Sequence, residues 1–473
     1  MSQPLSLGDQ RDRALQHAAE LVAQAWRDFD VARESEPDLG TELRDLLRTP
    51  LPESGIDACQ GLDEAAAALD ASTAQARPRY FAYIGSSALE IGALADLLAH
   101  SFDVNLALDS KGATLIEEQT LRWLGEFVGF PVAGGNFTSG GQLSNMTALA
   151  AARERAIPGA RTHGIGGVRA RVYGSTEAHY SNTRAIEVLG IGAANMVSIP
   201  QDEHRRMRTD LLAAAIDADI AAGFVPVAVI ASAGTTLTGT VDPIDAIVDA
   251  ASERGVWVHV DGAYGLPAAG VPSRRDLFAG LERADSVAVD AHKWLYVPKA
   301  CSAVMVRDAA MLPATFGHAE AYMPHGEDAR PNMVDTTLEY SRPFRALKLW
   351  LAFRVHGAQE VRAALERNLD HAARVHALAT DHPAFDVLPH RPDLSIVPIR
   401  HRVEGCPDID AHNDALYRAM QEDGRVFISP GVIDGRTWLR PCFTNFRTST
   451  SDVEALLTVA DEIGTRICPD HRR

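Results

Sequence analysis

Ser286-Val287-Ala288-Val289-Asp290-Ala291-His292-Lys293-Trp294 is the stretch that decides how this chain is read. Ser286 to Val289 is a short apolar run of strand character. It delivers Lys293 onto the following loop, the edge at which open α/β sheets gather their chemistry. A second apolar run, Val256-Trp257-Val258-His259-Val260, ends in Asp261. A lysine alone would carry little weight, because ammonium groups are rarely buried without a partner. A buried lysine of depressed pKa, however, forms a Schiff base with an aldehyde, and a carboxylate on a neighbouring strand is what a pyridinium nitrogen requires.

Composition sets the frame. At 473 residues the chain exceeds one compact core, so a large domain with a smaller one is expected. Hydrophobic residues at 46% and charged residues at 23% are ordinary for a soluble globular protein. No apolar run approaches the roughly 18–20 residues that span a bilayer. The net charge of −18, from 45 basic and 63 acidic side chains, argues against broad nucleic-acid or anionic-membrane binding. Cys59, Cys301, Cys406, Cys442 and Cys468 show neither CxxC nor metal-ligand spacing; no metal is expected, and the odd number suits a reducing compartment. The first residues lack a basic segment leading into an apolar one, so a cytoplasmic location is expected.

Along the chain, Leu15, Ala18, Leu21, Val22 and Trp26 recur at helical spacing between about Asp9 and Arg33, and an alanine-rich helical pattern follows from Ile56 to Ala74. Ser139-Gly140-Gly141-Gln142 stands before a helical run from Thr147 to Ala156. Small residues opening a helix expose unpaired N–H groups and the positive end of the dipole, a seat for phosphate. Strands are expected at Val168–Val172, ahead of His179, at Val225–Ser232, whose composition suits burial on both faces, and at Ser302–Val306. A helix from Ile244 to Arg254 returns the chain to the Asp261 strand as a βαβ unit. From about Gly317 to Arg342 apolar periodicity is lost, which marks a long loop. Beyond Lys348 the pattern is a helix at Ala358–Ala379, a strand at Leu394–Ile399 and a helix at Asp410–Glu422. Strands near Val426–Ile428 and Thr437–Leu439 and a helix at Ser451–Ile467 complete it.

Asp261-Gly262-Ala263-Tyr264 and Asp290-Ala291-His292-Lys293-Trp294 together resemble the signature of the pyridoxal-phosphate-dependent group II amino-acid decarboxylases, and the resemblance runs in order from about Pro78 to Arg447. It implies an α/β protein of fold type I. Residues 1–95 would be a helical segment packing on a partner subunit, residues 96–345 a large domain with a mostly parallel seven-stranded sheet that binds the cofactor, and residues 346–473 a small α+β domain. The implied partner is a second copy, with active sites at the subunit interface. The resemblance implies that Lys293 carries the pyridoxal phosphate, that Asp261 keeps the pyridine nitrogen protonated, and that His179 stacks on one ring face while Ala263 fills the other. Gly140, Gly141 and Gln142 would hold the phosphate, with His292 and Asp290 close by, and Thr235 and Thr236 would lie near the ring. Tyr83, Ile84, Gly85 and Ser86 would face the substrate side chain. Arg440 matches an arginine near the substrate end, the alternative being an arginine in a surface ion pair.

The implied reaction is decarboxylation of an L-amino acid to its amine. Glutamate decarboxylases carry polar residues where Ile84 and Gly85 stand, so an aromatic substrate is expected first and valine or leucine second. In the resembling family a tyrosine on the long loop helps protonate the intermediate; here that position falls near Met333, flanked by Tyr322 and Tyr340. This leaves oxidative deamination to an aldehyde, or another carbon–carbon lyase reaction, as the alternative.

Overall fold

The structure, a computed structural model, describes residues 5–318 and 332–467. Its larger sheet has seven strands: β1 (Gly134–Thr138), β2 (Ala170–Ser175), β3 (Met196–Ile199), β4 (Val225–Ser232), β5 (Trp257–Asp261), β6 (Ser286–Val289) and β7 (Ser302–Val306). Their order across the sheet is β1-β7-β6-β5-β4-β2-β3, and β7 alone runs against the others. Every residue of β5 and β6 is buried, as a central strand covered by helices on both faces requires. The helix Ile244–Ser252 makes the expected crossover into β5.

Register brings the chemistry to one edge. Ser232 pairs with Asp261 and Asp261 with Ala288, so β4, β5 and β6 end at one level. β1 points the same way, with Thr138 opposite Ser302 beside the end of β6. The loops after β1, β2, β4, β5 and β6 therefore open on a common face.

The smaller sheet pairs β10 (Pro430–Ile433), β11 (Arg436–Leu439), β9 (Ile399–His401) and β8 (Phe385–Val387), all antiparallel. Its hairpin turns on Asp434 (φ 51°) and Gly435 (φ 75°), the two positive-φ residues of a type I′ turn. The expected strand at Val426–Ile428 is not in this sheet; Phe427 instead bridges to Tyr80. Of the expected Leu394–Ile399 strand only Ile399 is paired in the sheet, while Ile396 bridges to Cys442. β1 and β3 lie where no strand was read. β1 opens Gly-Gly-Asn, poor in strand propensity, and is held by its pairing with β7.

The small domain has its own core, in which Leu416, Met420, Ile428, Leu439, Phe443, Leu456 and Ile463 pack around Phe81. Phe81 donates its amide to Phe427 and accepts from the Cys442 amide, so the segment leading to Tyr83 is anchored in the small domain. The long helix is longer than its periodicity indicates, running Ala346–Asp381 across a break at Gly357 (φ 73°). Before it, Arg342 and Glu117 form a fully buried ion pair at 2.9 Å.

In the N-terminal segment the helices Arg11–Phe29 and Ala58–Asp70 pack as a pair, tied by His17–Asp63 at 2.6 Å. Among the described residues no helix is long and apolar enough to cross a membrane.

Candidate active site

The loops at the carboxyl edge of the large sheet and the start of the small domain enclose a cavity of about 360 Å³. Lys293 reaches it from the turn after β6, where its amide donates to the Asp290 carbonyl. Its Nζ lies 2.8 Å from Asp290 Oδ2. Burial alone would pull the lysine pKa down, but the Asp290 carboxylate, with Asp261 adding to it, raises the pKa above the ordinary lysine value. This corrects the expectation of a depressed pKa: the desolvated amine has a partner one hydrogen bond away. Asp290 responds in kind. Burial pushes it up, yet Lys293 and His292 bring it below the usual carboxylate range.

Asp261 ends β5, 9% exposed. Its Oδ2 accepts from Asn145 Nδ2 (2.9 Å) and Asn182 Nδ2 (2.8 Å), while Oδ1 has a longer contact from the Ala263 amide (3.3 Å). His179 caps the helix Tyr180–Val188, its Nδ1 accepting from the Ser181 amide, which places the ring proton on Nε2. Burial lowers its pKa, so the ring enters the cavity neutral.

Gly141 opens the helix Gly141–Ala156 and lines the cavity with Gln142, leaving first-turn N–H groups without helical partners. A Cβ on Gly141 would stand 3.0 Å from Ala263 Cβ and 3.0 Å from Asp290 Oδ2, so only glycine lets this backbone approach so closely. Gly140 and His292 sit together behind this point, with His292 Nδ1 turned to the Cys301 carbonyl at 2.9 Å; neither lines the cavity. Thr235 and Thr236 both line it. The Thr235 hydroxyl is engaged with Thr238 at 2.9 Å.

The segment expected at the substrate end divides. Tyr83 and Ile84 line the cavity, whereas Gly85 and Ser86 do not. Tyr83 adopts φ 54°, and beyond it Gly85 packs on the Tyr80 ring while the Ser86 hydroxyl donates to the Val297 carbonyl at 3.0 Å. Arg440 is 3% exposed, which rules out a surface ion pair. Its Nε donates to the Thr236 carbonyl and Nη1 to the Tyr83 carbonyl (2.9 Å), while Nη2 has no hydrogen-bond partner.

Asn145, Asn182, Glu177, Tyr180, Leu237 and Pro430 went unread in the sequence, though all except Asn182 line the cavity and Asn182 holds Asp261. Asparagine is a poor helix former, and Asn145 inside a helix rich in alanine was the available signal. Met333 lies in a short turn (Met333–Thr336) away from the cavity wall; Tyr322 lies outside the described residues.

A lysine after one central strand, a carboxylate after its neighbour and a glycine-opened helix facing both, on a sheet of this order, define a fold type I pyridoxal-phosphate enzyme. The pyridoxal-dependent decarboxylase conserved domain matches residues 43–401. The aromatic-L-amino-acid decarboxylase of Bacillus atrophaeus is 31% identical, the alignment covering 96% of this chain and 95% of that protein. The L-2,4-diaminobutyrate decarboxylase of Rhizobium meliloti (strain 1021) is 32% identical over 90% of this chain and 86% of its own length. The crystal structure of Oryza sativa TDC with PLP and tryptamine superposes with a TM-score of 0.91 at 25% identity, covering 99% of this chain and 100% of that one. The chain belongs to the pyridoxal-dependent decarboxylase family. It is a PLP-dependent amino-acid decarboxylase with pyridoxal 5′-phosphate as its cofactor.

Proposed function

We propose that this decarboxylase converts an L-aromatic amino acid to its amine and CO₂, with valine or leucine as the second substrate class. The observation that carries the reading is the charge inventory of the cavity wall. Among the described lining residues the cations are Lys293 and Arg440, since His179 is neutral. Lys293 is committed to the cofactor, which leaves Arg440, with Nη2 unpartnered, for the carboxylate common to all α-amino acids. A second carboxylate would be desolvated without a partner. For a distal ammonium the wall offers Glu177, whose charge Arg205 already balances through Oε1 while Oε2 has no partner, so 2,4-diaminobutyrate is the competitor to be tested. Ile84, Leu237 and Pro430 offer apolar surface instead.

The residues fit the cofactor. Lys293 would supply the amine for covalent attachment, and Asp261, its Oδ2 held by Asn145 and Asn182, would meet the ring nitrogen and stabilise its proton. His179 and Ala263 would hold the two faces of the ring, Thr235 and Thr236 would lie near it, and the free N–H groups at Gly141 and Gln142, close to Gly140, His292 and Asp290, would receive the phosphate. Pyridoxal phosphate, when bound, supplies the electron sink that accepts the pair released as CO₂ leaves. Gly85 and Ser86 act behind the wall, shaping the turn that carries Ile84.

The enzyme is proposed to work as a homodimer, residues 1–95 embracing the partner. Leu94, Leu97, Leu98 and Phe102 leave an apolar face exposed on the helix Glu90–Phe102, and Leu15 and Val22 are exposed on the N-terminal helix.

A mass-spectrometric product screen tests the substrate reading. The twenty amino acids and 2,4-diaminobutyrate are offered to the PLP-loaded enzyme, with Lys293→Ala as control. The amine of tryptophan, tyrosine or phenylalanine is expected. Preferential turnover of glutamate or diaminobutyrate refutes the pocket argument, and an aldehyde with ammonia and peroxide reassigns the reaction to that of the aldehyde synthases among the relatives.

A further inference from the structure

His259 is a buried titratable group with no part in the chemistry above. It lies two residues before Asp261 on β5, wholly inaccessible, with both ring nitrogens engaged: Nδ1 lies 2.9 Å from Ser286 Oγ and Nε2 lies 3.0 Å from Asn145 Oδ1. Ser286 Oγ also accepts from the Trp257 indole N–H at 2.8 Å, and Asn145 Nδ2 donates to Asp261 Oδ2 at 2.9 Å.

We propose that His259 is a positioning residue, held as its Nε2–H tautomer in a one-way relay of donors running from Trp257 through Ser286, His259 and Asn145 to Asp261 Oδ2. The two ends set the direction. An indole N–H can only donate and a carboxylate can only accept. With Asn145 donating Nδ2–H to the carboxylate, its Oδ1 faces His259 and must receive the Nε2 proton. His259 Nδ1 is then bare and accepts the Ser286 hydroxyl proton, and Ser286 in turn accepts from Trp257. The reverse tautomer sets two lone pairs against each other at 3.0 Å, or turns Asn145 so that its oxygen meets the carboxylate. Burial pushes the His259 pKa down to about 4, so the ring stays neutral at physiological pH.

The relay determines which carboxylate oxygen serves the cofactor. Asn145, oriented by His259, and Asn182 both occupy Oδ2, which leaves Oδ1 for the ring nitrogen. This rests on the reading that Asp261 serves that nitrogen.

Two measurements test it. In the cofactor-free full-length protein, ¹⁵N-histidine NMR is expected to show His259 as neutral Nε2–H from about pH 8 to about pH 5; an Nδ1–H or protonated ring overturns the relay whatever the cofactor does. Then His259→Leu and His259→Gln are compared by absorbance titration with pyridoxal phosphate and by steady-state kinetics. Leucine removes the donor to Asn145, and about a tenfold loss of cofactor affinity with lower kcat and little change in substrate KM is expected. Glutamine can still donate to Asn145 Oδ1 and recovers most of the loss. Equal losses in both variants overturn the positioning role, and so does an unmoved titration in His259→Leu, which would leave the relay a prop for the fold alone.

Discussion

Removing Arg342 should destabilise the fold around β1 more than any surface ion pair would. Arg342 and Glu117 are wholly buried and paired at 2.9 Å, and Arg342 Nη1 also donates to the Phe137 carbonyl at 3.0 Å, one residue before the end of β1. In Arg342→Met, Glu117 keeps only a 3.4 Å contact from the Phe137 amide on Oε1, and its Oε2 has no partner. Breaking a buried pair from one side costs about 3–5 kcal/mol, because it strands an uncompensated charge. Glu117→Gln should sit at or below the lower end, since Arg342 retains its carbonyl acceptors. In the double variant no charge is stranded, so it should be no less stable than Arg342→Met, which makes the coupling at least as large as the Glu117→Gln loss itself. Urea unfolding followed by tryptophan fluorescence at fixed protein and cofactor concentration measures all four corners of the cycle. Additive losses, with a coupling below about 0.5 kcal/mol, would refute the argument.

Other consequences are as direct. Because Asp290 raises the Lys293 pKa, Asp290→Asn should leave more free amine at neutral pH and speed covalent capture of pyridoxal phosphate; stopped-flow absorbance checks this, and a slower reaction contradicts it. Gly141→Val should cost about 1–3 kcal/mol of cofactor binding, read by titration, because its side chain meets Ala263 and Asp290. His412 pairs with buried His401 at 2.9 Å, and burial brings its pKa down to about 4 from 6.5. Its unfolded form takes up protons first, so its stability contribution is intact above about pH 6.5 and is lost as pH falls toward about 4; His412→Gln should flatten the fall of Tm over that window.

Some of this was legible because it is local. The strands Val225–Ser232, Ser286–Val289 and Ser302–Val306 carry enough consecutive apolar residues to declare themselves, and Lys293, Asp261, His179 and Gly141 lie next to such strands or at helix starts, where chain direction alone brings them to one edge. Other features depend on partners distant in sequence. β1 exists through its pairing with β7, and Ile84 separates from Ser86 because one meets the cavity while the other finds Val297 more than two hundred residues away. The sign of the Lys293 shift was likewise beyond the sequence, which tells that the amine will be desolvated but not that Asp290 will stand 2.8 Å from it. Arg440 could be read at the substrate end or in a surface ion pair, and its burial against the Thr236 and Tyr83 carbonyls decides between them; Asn145 and Asn182 reach Asp261 from two separate helices, and His259 reaches it only through Asn145. Short-range periodicity therefore determined an open α/β sheet with Lys293 and Asp261 at strand ends, and the resemblance of their motifs supplied the fold type and their roles, whereas contacts between elements far apart in the chain decided protonation, orientation and the shape of the pocket, because those quantities depend on distances that folding alone creates.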